Sequence, residues 1–320
     1  MGFSTPASTC PFVAGGMITD PRLFVGRESE LHFLSSRMTG AQVTSVNVYG
    51  PRRTGKSSLV YHFYSTWPEM VADPGNYAVA FLDLKNDPCH TSPEFYQKLA
   101  TALRDLPTVR GRPDLADPLR NIRKYGDFES ALQAWKVQKV RPVFCLDEFQ
   151  VITSSAEFTN DFYNGLRALL NRSLLMLVLV THDPLGRLRQ KDNSTSPFFN
   201  LGLHIQLGDL KDDEVKKLLA LPSPGADADS SPCLTTDEQN LARQWAGNHP
   251  YALALAAKTL FHLRHAGSME KARQSFVREI SNVSSMSAWW RISHLPILNE
   301  IFLLMKRVGT SAFPAGNASK

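Results

Sequence analysis

Short apolar runs alternate along this chain with segments whose apolar residues recur at helical spacing. The apolar runs predict strands at 43–49, 77–84, 142–147, 174–181 and 204–207. The amphipathic segments predict helices at 26–38, 56–66, 92–105, 127–138, 156–171 and 211–220. Because strands that alternate with helices form a parallel sheet covered on both faces, we predict an α/β fold with a parallel sheet flanked by helices.

The pattern changes near residue 209, after which the chain is helical and no further strand is predicted. Pro, Gly, Ser and Thr are frequent before residue 23, which is typical of an extended segment. We therefore predict an extended lead-in at 1–22, an α/β domain at 23–208, a smaller all-helical domain at 209–308 and a loose tail at 309–320. The stretch PSPGADADSSPC at 222–233 has the composition of a flexible connector.

The segment GPRRTGKSS, between the first strand and the helix at 56–66, has the pattern G-x-x-x-x-G-K-S. A strand, a glycine loop and a helix in this order form a phosphate cradle, the Walker A motif or P-loop. In it Lys56 would reach the β- and γ-phosphates and the Ser57 hydroxyl would bind Mg²⁺. We assign phosphate binding to Gly50, Pro51, Arg52, Arg53, Thr54, Gly55, Lys56, Ser57 and Ser58. The simpler alternative is a glycine turn that carries an exposed lysine.

A P-loop needs a carboxylate for its metal, and RPVFCLDEFQ supplies one. Its apolar run ends in Asp147 and Glu148, at the carboxyl end of a predicted central strand, where ligands bind in open α/β sheets. Asp147 would hold Mg²⁺, and Glu148 would act as general base towards a water molecule. A solvated pair of acids at a strand end is the alternative interpretation.

The next predicted strand ends in Thr181. We expect this strand to lie between the P-loop strand and the acidic strand, so that Thr181 would reach the γ-phosphate or the attacking water as a further catalytic residue. The alternative is an ordinary strand-end turn, since Asp183 and Pro184 follow.

The segments FVGRESEL, GPRRTGKSS, LDEFQ and GNHPYALAL together resemble the STAND branch of the AAA+-related ATPases, which includes archaeal-type ATPases and NB-ARC signalling switches. The resemblance covers about residues 22 to 260. It implies a helical lid and an adenine pocket lined by Phe24, Val25, Gly26, Arg27 and, packed on the base, Pro250. Local helix starts at both segments are the alternative explanation.

The sequence departs from this family in two respects. The stretch before the last strand, KDNSTSPFFNLGLHIQL, lacks the arginine that a neighbouring subunit often contributes to the site. Arg187 and Arg189 are the nearest candidates, although a solvated helix face explains them more simply. A sensor repeat or an effector domain is not visible either, so either the partners would be separate chains or the protein would be a minimal member of the family.

Composition restricts the class of protein without deciding its partner. A hydrophobic content of 43% and a charged content of 20% describe an ordinary globular protein. The four scattered cysteines favour a reducing cytoplasm over a disulfide framework or a zinc site, and no apolar run is long enough to span a membrane. The net charge of +5 permits contact with nucleic acid without requiring it.

These observations predict a switch that binds ATP with Mg²⁺, hydrolyses it to ADP and couples nucleotide state to domain rearrangement and to a protein partner or self-assembly. A role in signalling or defence follows from the resemblance alone. One alternative is a DNA-associated ATPase of the origin-binding or transposition type, with contacts from Arg110, Arg112, Arg120, Arg123, Lys124, Trp289, Trp290 and Arg291. A solvated loop for the basic residues, and tryptophans that pack the last helices together, are the simpler explanations. Another is an assembly module that binds nucleotide without hydrolysing it.

Overall fold

The computed structural model describes residues 9–40, 44–191, 196–200, 202–224, 231–263 and 269–284. These residues form two compact units. The α/β unit contains Arg27–Pro51 and the described part of Gly55–Leu207. The helical unit contains the described residues up to Gly26, those from Gly208 onwards and the three loop residues Arg52–Thr54.

The α/β unit is built on a five-stranded parallel sheet in the order β2-β3-β4-β1-β5. Its strands are β1 Val46–Tyr49, β2 Tyr77–Asp83, β3 Arg141–Asp147, β4 Met176–Thr181 and β5 Leu203–Gln206. The sheet confirms the predicted fold class, and β4 lies between β1 and β3 as expected. The central strands β3 and β4 are buried almost throughout, which explains why they are the most continuously apolar runs in the sequence.

Strand register brings polar residues to one edge of the sheet. Asp83 at the end of β2 pairs with Asp147 at the end of β3, and Tyr49 at the end of β1 pairs with Thr181 at the end of β4. Because all the strands are parallel, their carboxyl ends meet at this edge. The edge therefore carries the residues for which the sequence predicts chemistry.

Helices surround the sheet in the α/β unit, close to their predicted positions. They are α1 Glu28–Thr39, α2 Lys56–Thr66, α3 Ser92–Arg104, α4 Pro107–Arg110, α5 Pro113–Ala116, α6 Tyr125–Val137, α7 Gln150–Thr153, α8 Asn160–Asn171 and α9 Leu185–Lys191. The helix predicted at 156–171 begins four residues late, because residues 154–159 form turns that end in the extended Thr159. The short helices α4, α5, α7 and α9 were not among the predicted helices, and α4 and α5 each start at a proline in the first helical position.

The main core of the α/β unit is rich in aromatic residues. Phe95, Phe158 and Phe162 pack edge to face, with ring centroids 4.8 to 6.4 Å apart. Tyr163 continues this cluster towards Phe198 and Phe199. Such pairs add to the large apolar area that each ring buries, so this face of the sheet is firmly anchored.

The helical unit has its own core. It contains α10 Asp212–Leu219, α11 Thr236–Ala246, α12 Pro250–Leu263 and α13 Met269–Ser284, and its described residues from Gly208 onwards contain no strand. Trp245 of α11 stacks on Phe276 of α13. The lead-in contributes too, since Phe12 is buried in this core. Residues 9–20 contain no helix or strand, and Pro21–Leu23 form a single 3-10 turn.

All four cysteines are free thiols, and Cys89 and Cys145 are buried. Burial raises the pKa of Cys145 well above its usual range, so this thiol stays protonated. Among the described helices, none combines the length and the apolar character that crossing a bilayer requires.

A tight backbone contact before β5 gives a test of this fold. Gly202 has φ +92°, and a Cβ atom there would lie 2.7 Å from the carbonyl oxygen of Ser45. We expect Gly202→Ala to destabilise the protein by about 1–3 kcal/mol, because both strain and overlap oppose it. Thermal unfolding measures the loss.

The matched control is Gly126→Ala in the first turn of α6, where a Cβ atom would meet nothing within 4 Å. This change should be neutral or raise stability by roughly 0.5–1 kcal/mol, since alanine favours helix. Equal melting temperatures for the two variants would contradict the backbone path assigned to Gly202.

Candidate functional site

The candidate phosphate loop starts where two backbone segments approach too closely for any side chain. Gly50 follows β1 with φ +147°, and a Cβ atom there would lie 2.3 Å from the carbonyl oxygen of Leu207. The N–H group of Leu207 donates to the carbonyl of Tyr49 at 2.8 Å, which holds the two segments together. Glycine is therefore required at this position for a structural reason.

The second glycine sets the start of helix α2. Gly55 adopts the left-handed conformation with φ +88°, and the helix begins at Lys56. The first N–H groups of a helix have no acceptor within the helix, and α2 has neither a capping side chain nor an acidic residue in its first turn. Together with the helix dipole, this end of α2 suits an anion.

Lys56 folds its side chain back over the loop. It is buried, and its Nζ atom donates to the carbonyl oxygens of Gly50 at 2.9 Å and Pro51 at 2.7 Å. These bonds hold the ammonium group at the loop itself, so the exposed lysine of the simpler alternative is not observed.

Asp147 meets the loop at Ser57, whose hydroxyl group interacts with the carboxylate. Burial raises the pKa of Asp147 to about 6, while the interaction with Ser57 opposes this shift and the nearby charges of Glu148 and Asp83 add to it. Asp147 is only 4% exposed, so it is not the solvated acid of the alternative interpretation. A hydroxyl and a carboxylate are hard oxygen donors of the kind Mg²⁺ prefers.

These two ligands would hold Mg²⁺ with help from phosphate oxygens. In the described part of the chain, no cluster of three or more His, Cys, Asp or Glu residues could bind a metal by itself. Mg²⁺ typically uses one or two carboxylates together with substrate phosphates, so the donor set fits.

Glu148 follows Asp147 in a left-handed conformation with φ +55°. Its carboxylate accepts a hydrogen bond from the side-chain amide of Gln150, and its Oε2 atom lies 3.7 Å from Nε2 of His182. The predicted general base is thus held by Gln150 and lies beside His182. Gln150 was not predicted in this role, although it lies within the LDEFQ segment that carries Glu148.

Thr181 lies at the predicted strand end but is fully buried. Its hydroxyl group accepts from Nδ2 of Asn47 at 2.9 Å and donates to the carbonyl of Asp183 at 2.7 Å. Asn47 also accepts from the N–H group of Leu185 at 3.2 Å, so it ties β1 to β4 and α9. These bonds support the structural alternative, and the catalytic role of Thr181 stays a prediction.

Asp83 is an additional acid at this edge that the sequence analysis did not identify. It pairs in register with Asp147 and accepts from the backbone N–H groups of Lys85 at 3.0 Å and Asn86 at 3.1 Å. The signal was present, since Asp83 also ends an apolar run. Its charge contributes to the raised pKa of Asp147.

The predicted adenine segment has clear local roles. Arg27 precedes α1 with φ +64° and forms a buried ion pair with Glu30 at 3.4 Å. Gly26 has φ +76°, and a Cβ atom there would lie 2.7 Å from the Glu214 side chain. Phe24 and Val25 are half-buried. Base binding by these residues stays a prediction.

GNHP forms the turn between α11 and α12. Gly247 ends α11 with φ +60°, and the Asn248 amide donates to the carbonyl of Leu210 at 3.1 Å. Nδ1 of the buried His249 accepts from the N–H group of Ala252, and Pro250 is the first residue of α12. These contacts suffice to explain the motif locally, and contact between Pro250 and adenine stays a prediction.

Of the arginine candidates, Arg187 is exposed on α9. The side chain of Arg189 lies outside the described part of the structure, as do Trp289, Trp290, Arg291 and the predicted tail at 309–320.

No protein-family model matches the sequence, and no curated protein is significantly similar to it. The fold, however, is found in solved structures. A Walker-type ATPase of Pyrococcus abyssi is similar with a TM-score of 0.57 and 16% identity, over 93% of this chain and 80% of that chain. The ORC2 protein of Aeropyrum pernix, solved as ADPNP and ADP complexes, gives 0.57 and 16% over 85% and 72%.

The ORC1 protein of Aeropyrum pernix, solved in complex with DNA, gives a TM-score of 0.51 and 16% identity over 91% of this chain and 74% of that chain. At these identities the likeness shows a shared fold. The chain therefore has the fold of Walker-type and archaeal ORC proteins. This likeness does not distinguish the STAND branch with its NB-ARC-type lid from other AAA+-type folds.

The raised pKa of Asp147 predicts a pH-dependent stability. Between the ordinary pKa of 3.8 and the folded value of about 6, the folded state binds the extra proton, so stability falls as pH rises through this window. The full penalty, up to ~3 kcal/mol, applies above pH 6. We expect Asp147→Asn to raise the melting temperature at pH 7.5 without divalent cations.

The gain should shrink as pH falls through this window and vanish at about pH 3 and below, where the wild-type carboxyl group is largely protonated in both states. Asp161→Asn on α8, where the acid is exposed, is the control and should change little at either pH. A wild type and an Asp147→Asn variant that melt together at pH 7.5 would show that the carboxylate is not buried as described.

Proposed function

We propose that this chain is an ATP-binding and ATP-hydrolysing switch of the AAA+ type. The single observation that carries the proposal is the interaction between the side chain of Ser57, at the start of α2, and the buried Asp147, at the end of β3. It joins the two halves of the proposed nucleotide site, which are far apart in sequence. The nucleotide complexes of Aeropyrum pernix ORC2, which has the same fold, support this function.

Different residues of the chain would bind the phosphates, the metal ion and the base. The N-terminal end of α2 would accept the phosphates, and Lys56 would exchange its loop carbonyls for phosphate oxygens. Ser57 and Asp147 would hold Mg²⁺, which supplies charge neutralisation at the phosphates when bound. Phe24, Val25, Gly26, Arg27 and Pro250 would form the base site by family resemblance.

Glu148 would make the site hydrolytic. It lies directly beside Asp147, and a carboxylate in this place would accept the proton of an attacking water molecule. Gln150 and His182 hold its side chain, so they would set its direction. A site for storage alone would not need this general base.

The cycle of ATP binding and hydrolysis would change which partners the protein assembles with. Loss of the γ-phosphate removes contacts at the loop, and such losses commonly release segments or domains. By resemblance to STAND proteins, the ATP and ADP states would differ in assembly with a protein partner or with other copies of the chain, in signalling or defence. The free thiols fit the predicted cytoplasm.

A DNA-associated ATPase is the second candidate, favoured by the similarity to an ORC1 protein solved with DNA. The basic cluster that suggested it is largely neutralised, however. Arg110 pairs with Asp105 at 3.8 Å, Arg112 with Asp114 at 2.7 Å and Arg120 with Asp117 at 2.8 Å. Arg123 and Lys124 are exposed. Salt-sensitive retention of DNA would favour this candidate.

Lys56→Ala tests nucleotide binding. The variant removes a cation from the loop, and a charge-assisted hydrogen bond to phosphate is worth about 1.5–3 kcal/mol, so ATP affinity should fall roughly tenfold or more. Calorimetric titration with ATP·Mg²⁺ measures the loss. Lys136→Ala, an exposed lysine on α6, is the control. An unchanged ATP affinity of Lys56→Ala would contradict the assignment of the loop as a phosphate-binding site.

Glu148→Gln tests hydrolysis. The amide cannot take a proton, so the variant should bind ATP normally and lose nearly all turnover. Phosphate release gives the rate, with the exposed Glu157→Gln as control. Size-exclusion profiles in ATP and ADP should differ for the wild type. Full turnover by Glu148→Gln would refute its role, and intact ATP with every protein would favour the non-hydrolysing assembly module.

A further inference from the structure

A residue of the phosphate loop is held by an aromatic ring of the helical unit. The guanidinium of Arg53 lies over the ring of Tyr251, 4.1 Å from the ring centroid. Both residues belong to the helical unit, which includes Arg52–Thr54 of the loop. This geometry is a cation–π contact, which attracts a guanidinium to the face of a ring.

The lead-in also lies close to this contact. A Cβ atom at Gly15 would lie 4.0 Å from Nη1 of Arg53 and 4.0 Å from Cε2 of Tyr251. Gly15 itself has φ +102°, where a larger residue is strained. The Arg53 side chain and the Tyr251 ring therefore both lie against the lead-in at Gly15.

The contact bears on the loop because the Arg53 backbone is strained. It has φ +65°, a conformation that residues with a Cβ atom adopt rarely. Such a conformation persists only where surrounding contacts fix it. Gly55, which sets the start of α2, follows two residues later in the chain, so the path of the loop at Arg53 decides where the N–H groups of α2 begin.

We propose that Tyr251 is a positioning residue for the phosphate loop, which holds Arg53 on its ring and so keeps the loop in the shape that receives a polyphosphate. This inference rests on the proposed function, since it concerns the same nucleotide site. Tyr251 is half-buried and touches the loop through Arg53. Its effect is on binding, because Asp147 and Glu148 are held by other contacts.

Steady-state ATP hydrolysis by the full chain tests the proposal through the split between KM and kcat. Tyr251→Leu should raise KM about fivefold, the size expected of a partly exposed cation–π contact, and leave kcat within about twofold. Tyr251→Phe keeps the ring and loses only the hydroxyl group, which also interacts with Arg53, so it should restore most of the wild-type KM. Phe261→Leu removes a half-buried ring from the same helix and should leave KM unchanged.

A double-mutant cycle identifies the partner. Arg53→Gln should raise KM as Tyr251→Leu does, and the double variant should show no further increase, because both changes remove one contact. Additive increases in KM would overturn the proposal. A Tyr251→Phe variant with a KM as high as that of Tyr251→Leu would overturn it too, because the effect would then belong to the hydroxyl group. If the wild type binds and hydrolyses ATP and the variants have the same KM, this inference alone is refuted. If the wild type does not bind ATP, the proposed function is refuted as well.

Discussion

The close contact between Gly50 and Leu207 is the constraint on which the candidate site depends. The backbone hydrogen bond from Leu207 to Tyr49 fixes the end of β1, and the space left admits no Cβ atom. The chain must therefore turn at once into the loop that ends at Gly55. From this single point follow the direction of α2, the position of Lys56 over the loop carbonyls and the meeting of Ser57 with Asp147.

Around this loop the structure accepts features that oppose stability. Asp147 is a buried acid whose charged form is disfavoured, and Arg53 and Glu148 both adopt a left-handed backbone. Buried charge and strained backbone cluster at functional sites, where they serve binding rather than folding. By contrast, the apolar strands and aromatic rings of the core show no such conflict. The unfavourable features coincide with the motifs that predict nucleotide chemistry, which strengthens the proposed function.

Sequence patterns were sufficient for the sheet because β3 and β4 are buried on both faces and so read as unbroken apolar runs. Local motifs likewise predicted the loop and Asp147 as parts of the candidate site. Contacts between distant segments could not be predicted from local patterns. The residues near Thr181 do not indicate its hydrogen bond to Asn47, and the residues of the loop do not indicate the contact with the ring of Tyr251. The burial of Phe12 depends on helices far along the chain. The start of α8 was misplaced because turn residues before it mimic helical spacing.

Single-turnover hydrolysis by the purified full chain decides whether this site hydrolyses ATP. Radiolabelled ATP would be mixed with excess protein, with and without Mg²⁺, and free phosphate and bound nucleotide would be measured over time. We expect bound ATP to be converted to ADP and phosphate only when Mg²⁺ is present, because Ser57 and Asp147 would supply its ligands. ATP that stays intact on the protein in Mg²⁺, or that does not bind at all, would contradict the proposed function.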